Sequence, residues 1–103
     1  MNRERNWKLI RDKYPDIFLR KWENVQTRIL DESEKFPALL DKLLEESQEV
    51  KDSGWDLEEI ADVLEVLMEI IKEKWMNIAD IEQVRLRKLN EKGWFKKWTF
   101  LED

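Results

Sequence analysis

Apolar residues return every three or four positions over three long stretches of the chain, the spacing of one face of a helix. Phe36, Leu39, Leu40, Leu43, Leu44 and Val50 predict a helix over 33–51. Ser33 is placed to cap it, Pro37 falls in its first turn, and Ser53-Gly54 breaks it, with Gly54 suited to the residue just past the end. A second helix is predicted over 57–74, opened by Asp56 with Glu59 three residues on, a capping-box pattern. Its apolar residues run from Leu57 through Ile60, Ala61, Val63, Leu64, Val66, Leu67, Met68 and Ile70 to Ile71. They cover about 200° of the helix surface, more than a one-sided stripe needs. A third helix is predicted over 78–91, capped by Asn77 and ended by Gly93. Pro15 can open a short helix over 15–22.

Two segments alternate instead. Residues 25–30 (VQTRIL) and the tail 94–101 read as short strands, with 25–30 pairing near 97–101. Trp7, Leu9 and Ile10 are the apolar anchors of an otherwise basic opening segment. The expected architecture is an all-α bundle of about four helices, carrying one small two-stranded β pairing. It forms a single domain over 1–103, with no internal repeat, linker or low-complexity segment. The wide apolar surface of the 57–74 helix calls for neighbours beyond this chain, so a homodimer or higher homo-oligomer is expected.

Composition narrows the chemistry. Six Trp and four Phe argue against a disordered chain. A net charge of −5 argues against general nucleic-acid binding. With no Cys and no His, thiolate sites, His-based triads and most transition-metal sites are excluded. A metal would be held by oxygen, which selects Mg²⁺, Mn²⁺ or Ca²⁺. The opening residues have no apolar run of the signal-peptide kind, and no stretch reaches membrane-span length. No membrane partner and a cytoplasmic location are therefore expected.

Two acidic clusters remain, Glu45-Glu46-x-x-Glu49 and Glu59-x-x-Asp62. In each, two carboxylates stand three residues apart and so share a helix face, where like charges repel and a cation relieves them. Glu59 shares a stripe with Val63, Val66 and Ile70, and Glu46 borders the leucine face of its helix. Glu58, Glu65 and Glu69 point elsewhere. The plain alternative is solvated glutamates, with Glu59 closing the capping box.

These clusters resemble the EExxE…ExxD signature of the MazG-like all-α nucleoside triphosphate pyrophosphohydrolases, which include MazG, dimeric dUTPases and phosphoribosyl-ATP pyrophosphohydrolase. Lys8 to Pro15 (KLIRDKYP) resembles the KLVRDKIP opening of one branch. Thr27 to Asp31 (TRILD) is similar to its TRVLD segment, and Glu91 to Phe95 (EKGWF) to its ERGGF turn. Three departures stand out. Only residues 50–58 separate the acidic motifs, a shorter gap than the superfamily's. Trp94 replaces a small residue, and Tyr14 an aliphatic one. Each aromatic is either a base-stacking platform or core.

The resemblance implies cleavage of the α–β phosphate bond, giving a monophosphate and pyrophosphate. Glu46, Glu49, Glu59 and Asp62 would hold Mg²⁺ (or Mn²⁺), which neutralises phosphate charge and lowers the pKa of a water that attacks the α-phosphorus. Glu45 would orient a ligand or help deprotonate the water. Arg85, Lys88 and Lys92 share a helix face, and by resemblance Lys88 and Lys92 meet the remaining phosphate charge. Lys8, Arg11 and Lys13 match the opening motif and are either substrate contacts or a solvated basic edge. Two other functions stay open: phosphoribosyl-ATP as the substrate, and a non-enzymatic helical oligomer. A helical Ca²⁺-binding protein ranks last, since no DxDxDG loop occurs.

Overall fold

The computed structural model describes residues 8–102, so Trp7 lies outside the described residues. Four helices follow one another: α1 (Tyr14–Arg20), α2 (Glu32–Ser53), α3 (Leu57–Glu73) and α4 (Ile78–Lys92). The all-α expectation holds, and each helix falls within two residues of its sequence-based bounds.

The start of α2 differs from expectation. Its N-cap is Asp31, not Ser33, and Asp31 forms a capping box with Glu34. Ser33 instead donates its hydroxyl to Asp31 Oδ1 at 2.7 Å. Because the helix begins earlier, Pro37 falls in its second turn. There it withholds one helical N–H from the Ser33 carbonyl. Arg28 reinforces this start, its two terminal nitrogens donating to the two oxygens of Glu34 at 2.9 and 2.7 Å. α2 ends on Gly54, whose φ of 67° is the left-handed conformation a helix stop uses.

No strand occurs among the described residues, and the expected pairing of 25–30 with 97–101 is absent. Alternation alone does not make a strand; it needs an apolar face to bury. Val25 and Ile29 are exposed, Ile29 at 92%, and so are Phe100 and Leu101. Arg28 is tied through its side chain to Glu34 instead of through a backbone ladder. The tail makes a turn in which Trp98 N–H donates to the Phe95 carbonyl at 3.3 Å.

The chain divides into two compact units, Met1–Ile70 and Ile71–Asp103. In the first, Leu39 of α2 and Val66 of α3 are buried and mark a small core. On the same two helices Glu46 is buried and Glu59 and Asp62 are half-buried. In the second, α4 is opened by Asn77, whose side-chain oxygen accepts the Ala79 N–H at 2.8 Å. The helix closes on Gly93. No described helix is long and apolar enough to cross a membrane.

Candidate metal centre

The site is built by the register of two helices. On α2, residues 45, 46 and 49 fall within little more than one turn. On α3, residues 59 and 62 stand one turn apart on the face that also carries Val66. Packing α2 against α3 brings the sets together. Glu45, Glu46 and Glu49 can each offer an oxygen within 4.8 Å of the others, and so can Glu46, Glu59 and Asp62. Glu46 belongs to both groups and is the buried member, at 6% exposure.

The capping explanation for Glu59 does not apply. The Asp56 N–H, which a capping-box Glu59 would accept, donates to Ser53 Oγ at 3.4 Å. Asp56 Oδ1 accepts the Glu58 N–H at 2.9 Å, so Asp56 caps the helix by itself. Glu59 Oε2 is buried with no hydrogen-bond partner, and Glu46 Oε2 is in the same state. Among the other acids of α3, Glu58 and Glu65 are exposed, as expected, while Glu69 is half-buried.

Three cations face the five carboxylates. Lys8 Nζ donates to Glu45 Oε2 at 2.8 Å. Arg11 donates to Asp62 Oδ1 at 2.7 Å. Lys42, one turn before the cluster on α2, donates to Glu45 Oε1 at 3.1 Å and stands 3.3 Å from Glu46 Oε1. Sequence reasoning missed Lys42, although its place three and four residues before Glu45 and Glu46 is the spacing of helical ion pairs. Lys13 joins none of these contacts; it is the exposed residue at the N-terminus of α1.

The electrostatics follow the placement. Burial pushes the Glu46 carboxyl up, Lys42 opposes this, and Glu49 and Asp62 add to it. Burial also raises Glu49, helped by repulsion from Glu59 and Glu45. Partial burial acts to raise Glu45 as well, but its hydrogen bonds and charge pairing with Lys8 and Lys42 outweigh that and hold it low. Five carboxylates against three cations leave two negative charges in excess, the complement of one divalent ion.

The donor set fits such an ion. All its atoms are carboxylate oxygens, the hard ligands that Mg²⁺ and Mn²⁺ take. Two buried oxygens lack partners, and an unpaired buried polar atom costs roughly 1–3 kcal/mol. Coordination would satisfy both.

The remaining expected substrate residues belong to the second unit. Lys88 is exposed on α4 and lines a shallow groove with Trp75, Met76, Asp80, Ile81 and Val84. Lys92 and Trp94 line another with Phe95 and Trp98. Trp94 is 64% exposed and Tyr14 is 42% exposed, with its ring 5.7 Å from that of Phe18, so neither is a core residue. Arg85 is paired with Glu82 rather than free for a ligand. Compared with known proteins, the chain matches no family model, no curated protein and no solved structure.

Proposed function

We propose that this chain is a Mg²⁺-dependent nucleoside triphosphate pyrophosphohydrolase of the MazG-like kind. The observation that carries the reading is the junction of the two acidic motifs at Glu46. Two helices contribute carboxylates to one cluster, and the buried oxygens of Glu46 and Glu59 have no partner in it. Solvated glutamates would be dispersed and wet.

Glu46, Glu49, Glu59 and Asp62 would hold the ion. Bound there, Mg²⁺ supplies phosphate charge neutralisation and an acidified water. Glu45 lies beside the ligands and is kept ionised by Lys8 and Lys42, which suits it to accept a proton or orient a ligand. Lys8, Arg11 and Lys42 act as stand-in cations, neutralising part of the cluster's charge. Lys8 and Arg11, the two from outside the helices, would meet substrate phosphate once a cation shared the cluster's charge. Lys88, Lys92 and Trp94 are further substrate candidates. On this reading the protein is a cytoplasmic homodimer or higher homo-oligomer, with a non-standard or surplus nucleotide as its proposed substrate.

A panel of nucleoside triphosphates tests the reading, with pyrophosphate and monophosphate measured with and without Mg²⁺. Metal-dependent release of both products from at least one member is expected. No release from any, with phosphoribosyl-ATP included, would overturn the enzymatic reading and favour a helical interaction module.

A further inference from the structure

Four described residues other than glycine have positive φ, and all four are tryptophan: Trp22 (60°), Trp55 (60°), Trp75 (56°) and Trp98 (54°). The left-handed region is costly for any residue with a Cβ, and a bulky side chain there is an outlier. Glycine enters it without that cost. The four indoles gain nothing visible in return, being 94%, 85%, 95% and 86% exposed.

Their local geometry is that of glycine positions. After α1, Trp22 N–H donates to the Leu19 carbonyl and Glu23 N–H to the Phe18 carbonyl. After α3, Trp75 N–H donates to Lys72 and Met76 N–H to Ile71, the same crossed pair. This is the Schellman stop, whose left-handed residue is usually glycine. Trp22 and Trp75 occupy that left-handed place. α2 and α4 end on the chain's own glycines, Gly54 and Gly93, at φ 67° and 85°. Trp55 continues the left-handed path after Gly54. Trp98 is the fourth residue of the turn closed on Phe95, a position that also favours glycine. Every described residue of positive φ is thus glycine or tryptophan.

We propose that positions 22, 55, 75 and 98 are glycine in the chain that the source cell makes. One codon, UGA, is read as tryptophan in some genetic codes and as glycine in another. A single difference in reading would replace glycine by tryptophan at every such position together. It also explains six tryptophans beside only two glycines in a chain with four helices to end. The inference rests on backbone geometry, exposure and composition, and is independent of the metal centre.

Two measurements test it. The first is thermal and denaturant unfolding of the tryptophan-bearing chain beside Trp22→Gly, Trp75→Gly and the fourfold glycine variant, with Trp22→Ala and Trp75→Ala as controls. Alanine removes the indole but keeps the Cβ. Each glycine should raise the folding equilibrium constant, on the order of fivefold per position, while alanine leaves it nearly unchanged. Glycine variants no more stable than the alanine ones would overturn the proposal. The second is tandem mass spectrometry of the protein from its source cells. It should read glycine at all four positions; tryptophan there would overturn the decoding.

Discussion

Glu46 is the residue on which the site turns. It is the most buried of the described carboxylates, it belongs to both carboxylate groups, and one of its oxygens has no partner. Without metal its charge is a burden, because burial and the neighbouring Glu49 and Asp62 all disfavour the ionised form. Glu46→Gln should therefore raise the stability of the metal-free protein, by about 1 kcal/mol, the scale of one relieved buried polar group. The same change should abolish Mg²⁺-induced stabilisation and lower turnover at least a hundredfold. Thermal melts with and without Mg²⁺, beside pyrophosphate release, check both halves. Loss of stability in the absence of metal would refute the electrostatic reading. Lys42 gives the converse. It neutralises Glu45 and Glu46 from one turn away, so Lys42→Met removes a stand-in cation. The metal-free protein should lose about 1 kcal/mol, while the stabilisation gained on adding Mg²⁺ should grow. An unchanged response to Mg²⁺ would show that Lys42 is only a structural partner. The clustering of these carboxylates was legible in the sequence because an i, i+3 spacing puts them on one helix face. Lys42 was not, because a lysine one turn from a glutamate is most often a solvated ion pair.

At the scale of elements, caps decide more than periodicity does. The helices were legible because their apolar repeats are long. The strands were misread because residues 25–30 alternate without an apolar face to bury, and their main tie is Arg28 to Glu34. That tie makes a pH prediction. Hydrogen bonding from Arg28, then from the Asp31 backbone, holds the Glu34 carboxyl down to about 2, from an ordinary 4.5. A carboxyl lowered on folding contributes stability that is full above its unfolded value and lost as pH falls toward its folded value. The window here is from 4.5 down to about 2. Glu34→Gln keeps a capping-box side chain but removes the charge. Its acid unfolding curve should be flatter than the parent's over that window. Both residues are solvent-facing, so the effect is modest and should shrink in high salt. Parallel acid titrations of parent and variant, followed by helical circular dichroism, provide the check; superimposable curves would exclude a role for the pair.

At the scale of the whole molecule, the question is what covers α3. Its two faces have different tasks. Glu59, Asp62 and Val66 lie on one side, where they meet α2. Leu57, Ile60, Leu64 and Leu67 follow the i, i+3, i+7, i+10 spacing on the other, about 150° away at 100° per residue. All four of these aliphatics are exposed, Leu57 at 82% and Leu64 at 59%. Such a stripe is the seam by which helices pair, and a contiguous apolar patch on a soluble chain marks an interface. Only Leu39 and Val66 are buried apolar residues among those described, so the chain alone hides little of its apolar surface. A second copy presenting the same stripe about a twofold axis would be self-complementary and would close the assembly. Light scattering should give at least twice the 12.7 kDa of one chain at micromolar concentration. Leu64→Glu places a charge in the middle of the stripe, facing away from Glu59 and Asp62. It should halve the mass or nearly so, and lower the melting temperature in proportion to the lost interface. If the parent already runs at the mass of one chain, the stripe is not a seam between copies. If Leu64→Glu leaves a dimer intact, the copies meet through some other surface.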